Sequence, residues 1–153
     1  MIALFALIAA HVESVASLKV TLASGTGVQV QVREDTKSGY RFTVDCLTQC
    51  VTPLHFDAPI GDAPMGLVDL AVDGLVYSVW GTGCCYIVRV WQVTASGVKM
   101  VLETGSRGRP SLLNFPGPAV ETYVRPTDSQ GRETIGKLTA VRWTYHNGKF
   151  QPS

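Results

Sequence analysis

The sequence predicts an all-β domain, an antiparallel sandwich or small barrel built from hairpins with about nine strands. Three observations predict it. Apolar and polar residues alternate over short runs, tight-turn dipeptides separate those runs, and no window after residue 17 holds a helical period with caps. The chain has 153 residues, enough for one domain with a real core.

The strands follow in order. Val28, Val30 and Val32 alternate with Gln29, Gln31 and Arg33, the pattern of a half-buried strand. Ser38-Gly39 marks a turn into Tyr40-Arg41-Phe42-Thr43-Val44. Asp73-Gly74 separates the apolar runs 67–72 and 75–80. A type I′ turn needs positive φ at both central residues, so an Asp-Gly pair there is a strong hairpin signal. The β-branched and aromatic run 85–94 turns at Ser96-Gly97 into 98–103. Residues 120–125 read as a further strand. Thr139, Val141, Trp143 and Tyr145 share one face of the next, and Asn147-Gly148 leads into Lys149-Phe150.

Three segments break this rhythm: 53–66, 104–119 and 126–137, the first two rich in Pro and Gly. They are expected to be connecting loops, where function often resides. A faint internal echo links Val88-Arg89-Val90-Trp91 to Val141-Arg142-Trp143, each followed by a Gly turn and a Lys. The spacing is blade-sized for a propeller. A chain of this length is expected to hold fewer than three such units, so the echo is taken as two similar hairpins.

The first ten residues, MIALFALIAA, are apolar throughout, too short to span a bilayer as a helix and suited to the hydrophobic region of a secretory signal. Ser14-Val15-Ala16 offers a small-x-small cleavage site, although no Lys or Arg precedes the apolar run. The expected organisation is a signal peptide over 1–16 and a single β domain over 17–153. Export to the periplasm or cell exterior follows, with no stable membrane insertion after cleavage.

The four cysteines agree with export: an even count in an exported chain reads as disulfides. The candidates are Cys46, Cys50, Cys84 and Cys85. A Cys84–Cys85 bond closes a strained ring between neighbours that a strand would point to opposite faces. The expectation is therefore at least one bond joining the 46/50 segment to the 84/85 segment. The competing pattern is a local Cys46–Cys50 loop with Cys84 and Cys85 free.

Lys plus Arg number 13 and Asp plus Glu 12, for a net charge of +1, and only 16% of residues are charged. That balance argues against a nucleic-acid partner, which calls for a basic face. His55 and Asp57, near Asp45 and the first cysteines, are the residues around which a small hydrolase site is conceivable. A metal or redox role for the four cysteines is a further alternative. The Cys46–Cys50 spacing suits half a zinc site and the adjacent pair does not. Cys84 or Cys85 with His55 or His146 would make a nucleophile and base, but the flanking Gly81-Thr82-Gly83 forms no nucleophile-elbow pattern. Gly25-Thr26-Gly27 and Gly81-Thr82-Gly83 lack the helix and Lys-Ser/Thr of a phosphate loop. Trp80, Trp91 and Trp143 lie on predicted strands and are expected in the core. Arg107 and Arg109 form the one local basic cluster and would suit an acidic partner. The function expected is non-enzymatic: binding of a protein or envelope component, in the manner of an inhibitor, immunity factor or envelope accessory protein. His55, Asp57, Arg107 and Arg109 are the interaction-loop candidates, and no cofactor is expected.

Overall fold

The computed structural model describes residues 14–114 and 117–153. The apolar start at residues 1–13 lies outside the described residues. Among the described residues all the regular structure is β and antiparallel, in three sheets of four strands. The first sheet joins β1 (Ser14–Thr21), β2 (Gly27–Asp35), β3 (Gly39–Thr48) and β4 (His55–Ile60). The second joins β5 (Ala63–Asp69), β6 (Leu75–Gly81), β7 (Tyr86–Thr94) and β8 (Gly97–Ser106). The third joins β9 (Ser111–Leu113), β10 (Ala119–Val124), β11 (Thr139–His146) and β12 (Lys149–Pro152). Each sheet is a meander of consecutive strands.

The described residues thus hold twelve strands rather than nine, in three four-stranded units rather than fewer than three. The three extra strands are β1, β4 and β9. Sequence reasoning missed β4 and the start of β5 because Pro59 and Pro64 disguise them. Both strands are sheet edges, where a missing N–H costs no ladder bond. The echo acquires a structural meaning. Val88–Trp91 and Val141–Trp143 occupy the third strands, β7 and β11, of their sheets. Both expected hairpin dipeptides take positive φ throughout: Asp73 +48° and Gly74 +68°, Asn147 +48° and Gly148 +78°.

The second sheet lies between the other two, and this explains its sequence. Residues 75–80 are all buried, since strand neighbours point to opposite faces and both faces are covered. Val76, Ser78 and Trp80 face the first sheet, where Val28, Val30, Val32, Phe42 and Val44 complete a core with Trp91. Leu75, Tyr77 and Val79 face the third sheet, against Val120, Trp143, Tyr145 and Phe150. The outward faces of the outer sheets are polar. Lys19, Gln29, Gln31, Arg41, Asp45 and Asp57 share one by register, and Glu121, Arg142 and Thr144 the other. Packing also brings β1 beside β5, and β8 against β4 on one side and β10 and β12 on the other.

The described residues begin within the expected leader. Ser14–Thr21 is β1, and Ala16 sits opposite Val32. Cleavage after Ala16 would leave Ser17–Thr21 paired with β2. No helix among the described residues is long and apolar enough to cross a membrane.

Candidate functional site

His55 and Asp57 lie on β4, two residues apart, and so share the polar outer face of the first sheet. His55 Nδ1 meets Asp45 Oδ1 at 2.5 Å across the β3–β4 ladder. That hydrogen bond and the Asp45 charge raise the imidazole above its ordinary value. Asp57 accepts from Arg41 Nε at 2.8 Å, and Arg41 Nη1 reaches Asp35 at 3.2 Å. The Ser38 hydroxyl, the Lys37 amide and Arg41 together draw Asp35 down to about 2. This is a ladder of exposed ion pairs on a sheet face, and neither His55 nor Asp57 lines any of the four cavities described here. Among the described residues no three His, Cys, Asp or Glu side chains gather as a metal site.

The cysteines pair within their segments, Cys46 with Cys50 and Cys84 with Cys85. The expected cross-link between the two segments is not formed, because they belong to different sheets. Cys46 lies two residues before the end of β3 in the first sheet, and the chain turns back to Cys50 through Gln49 at φ +55°. Cys84 and Cys85 sit at the tip of the β6–β7 hairpin in the second sheet. An adjacent pair is disfavoured only in strand geometry, where neighbours point to opposite faces. The tip is bent instead: Gly83 has φ +90°, and the Thr82 amide donates to the Cys85 carbonyl at 3.0 Å. The opposite-faces rule therefore does not apply there.

Arg107 and Arg109 follow β8, where the chain bends towards the third sheet. The bend is held by three contacts. Ser106 Oγ donates to the Gly108 carbonyl at 2.6 Å and accepts from the Tyr123 amide at 2.9 Å, and the Arg107 amide donates to the Tyr123 carbonyl at 2.7 Å. A Cβ at Gly108 would come within 3.2–3.4 Å of Leu138 and Tyr123, so the segment sits tight on the third sheet. The two arginines enter different cavities, and Tyr86 lines both.

The Arg107 cavity holds about 390 Å³ and is lined by Cys84, Cys85, Ile87, Tyr123, Val124 and Glu133 among others. Arg107 Nη1 lies 2.8 Å from Cys85 Sγ and 3.7 Å from Cys84 Sγ. Its Nε donates to Glu133 Oε1 at 3.1 Å, and Nη2 pairs with Oε2. Glu133 is presented by a well-tied loop. Asp128 Oδ1 accepts from the Gln130 and Arg132 amides, each at 2.9 Å, and the Thr134 amide donates to the Pro126 carbonyl at 2.8 Å.

The Arg109 cavity holds about 220 Å³, between β5 and β9, and is walled by Met65, Val68, Val79, Pro110 and Leu112. Its polar groups are Tyr77, Tyr86 and Arg109. Tyr77 is 5% exposed; burial pushes its phenol up to about 12, with the Arg109 charge pulling the other way. Arg109 is exposed and has no ion-pair partner among the described residues. A third hollow, lined by Leu70, Val72, Asn114 and Pro118, shares Val68 and Leu112 with this one.

The largest of the four hollows, about 700 Å³, is elsewhere, where the turns at 22–24, 71–74 and 94–95 meet. It is open, lined by turn residues and strand ends, and its charged groups are Lys19, Asp69 and Asp73. Chemistry rather than volume therefore points to the junction of the second and third sheets. Of the residues singled out from sequence, the structure brings together Cys84, Cys85 and Arg107, with Arg109 beside them. Cys46, Cys50, His55 and Asp57 lie apart on the first sheet. Sequence reasoning missed Tyr77, Tyr86, Tyr123 and Glu133. Tyr77 carried a signal, being a phenol inside the largely apolar run 75–80. Glu133, 26 residues from Arg107, carried none.

The chain matches no family model, no curated protein and no solved structure.

Proposed function

We propose that this is an exported, non-enzymatic binding domain. Its recognition site is the Arg109 cavity, and its partner is a protein presenting a carboxylate flanked by an apolar side chain. The observation that carries the reading is a guanidinium, without an ion-pair partner among the described residues, lining an apolar pocket that also holds a buried phenol. Mostly apolar walls with a few converging polar groups are what ligand sites share. A guanidinium offers a carboxylate two parallel hydrogen bonds, and the apolar walls take up the neighbouring side chain. Export is supported by the leader-like start and by four cysteines that all pair.

The test is a paired capture from the native envelope fraction with the wild-type chain and Arg109→Gln. A partner retained by the first and lost by the second bears the reading out. The same partners on both, or none on either, refutes it. On export, mass spectrometry of the protein from its native host is expected to find a mature N-terminus near Ser17. Intact Met1 in the cytoplasmic fraction would refute that part.

A further inference from the structure

The two disulfides differ in what surrounds their sulfur atoms. Cys46 Sγ faces carbonyl oxygens, those of Gly27 at 3.8 Å and Thr48 at 3.9 Å. Cys85 Sγ faces a guanidinium, Arg107, at 2.8 Å. A thiolate forming at Cys46 would meet negative ends of dipoles, whereas one forming at Cys85 meets a full positive charge. Access differs within the second pair: Cys84 is exposed and Cys85 half-buried, at an open cavity.

We propose that Cys84–Cys85 is a redox-active pair that exchanges with an external dithiol, with Cys84 Sγ the sulfur attacked and Cys85 Sγ the leaving sulfur stabilised by Arg107. A thiolate of the dithiol attacks Cys84 Sγ, a new S–S bond forms, and the Cys84–Cys85 bond breaks. Its electron pair goes to Cys85 Sγ, which leaves as a thiolate against Arg107. The second thiol of the dithiol loses its proton and attacks the dithiol's own first sulfur, releasing Cys84. Both cysteine sulfurs end with a proton. Two electrons and two protons have passed to the pair, and the dithiol has become a disulfide. Exchange is fastest when the leaving thiolate is the better stabilised one, which assigns the direction of attack. The Arg107–Glu133 ion pair holds the guanidinium in place, so Glu133 is a positioning residue. The inference concerns other atoms than the Arg109 site and does not depend on it.

The experiment treats the oxidised full chain with limiting dithiothreitol, alkylates free thiols and maps them by mass. Cys84 and Cys85 are expected to be modified while Cys46–Cys50 stays bonded. With glutathione, a monothiol, and immediate alkylation, the glutathione is expected on Cys84 and the alkyl group on Cys85. Arg107→Gln is expected to slow this reduction about tenfold, and Arg107→Lys, which loses the same fork but keeps the charge, to stay close to wild type. Earlier reduction of Cys46–Cys50, glutathione on Cys85, or equal rates in the Gln and Lys variants would overturn the proposal.

Discussion

The two faces of the second sheet are packed to different ends. Against the first sheet, Phe42 stacks on Trp91 with ring centroids 4.4 Å apart and 12° between planes, and Phe56 meets both rings edge-on. At its centre the Ser78 hydroxyl is fully used, while on the same face Arg89 stacks over Trp80 with its Nη1 buried and without a hydrogen-bond partner among the described residues. Ser78 Oγ accepts from Trp80 Nε1 at 2.9 Å and Trp91 Nε1 at 3.0 Å, and donates to the Arg89 carbonyl at 2.9 Å. That exhausts one donor and two acceptor sites on a hydroxyl. Against the third sheet the buried cluster is smaller, and the junction is edged by cavities, tyrosines and two arginines. Close packing of large apolar and aromatic side chains stabilises a fold. Room beside unpaired polar groups is what a ligand needs. One sheet thus serves as a structural wall on one side and a recognition wall on the other.

The comparison can be broken first at the aromatic stack. Trp91→Ala removes a ring 4% exposed that touches both Phe42 and Phe56. A loss of about 3–5 kcal/mol is expected in urea unfolding, against about 1–3 kcal/mol for Val120→Ala across the other face. Equal losses would remove the distinction between the two faces. Next comes Ser78→Ala, which strands two buried indole N–H groups. About 2–3 kcal/mol is expected, far above an ordinary surface substitution, and a cost under about 0.5 kcal/mol would contradict the hydrogen-bond account.

Gly74→Ala comes third. A Cβ there would lie 2.1 Å from the Val93 carbonyl oxygen, on a backbone at φ +68°. About 1–3 kcal/mol of destabilisation is expected. Gly148, also at positive φ, has open space around it, so its alanine variant should cost less. The turn dipeptides were legible at both places because positive φ leaves few residues to choose from. The severity at Gly74 was not, since it depends on the Val93 carbonyl of β7, which lies next to the turn only once β7 has paired with β6. The same divide runs through the whole chain. Local alternation and turn chemistry disclosed the all-β class and nine strands. β4, which carries Pro59, and the start of β5, which carries Pro64, were hidden, because a proline is tolerated on an edge and no sequence marks an edge. The Cys84–Cys85 pairing was hidden too, because it depends on a bend at Gly83 rather than on strand geometry. At the site, the arginines and cysteines stood out by type. The partition of Arg107 and Arg109 into separate cavities, and the meeting with Glu133, are products of tertiary packing.

A smaller effect sharpens the contrast from the recognition side. Among five tyrosines, Tyr77 is expected to ionise at about 12 in a spectrophotometric titration. Burial favours the neutral phenol in the folded chain, so the stability from that preference is complete below pH 10 and is lost as pH rises through 12. Arg109→Gln removes the charge that partly offsets burial and should move Tyr77 higher still. An unchanged titration would separate Arg109 from the phenol and weaken the site.

The most direct test of the division between the two faces is a chemical-shift titration with 4-methylpentanoate, a carboxylate on an apolar tail, and with its amide as control. The account predicts acid-dependent shifts confined to Arg109, Tyr77, Tyr86 and the neighbouring walls of β5 and β9. They should be absent with the amide and in Arg109→Gln, whose stability should stay within about 0.5 kcal/mol of wild type. Shifts centred on the His55–Asp45 ladder or the large hollow at the turns, or equal responses to acid and amide, would contradict it.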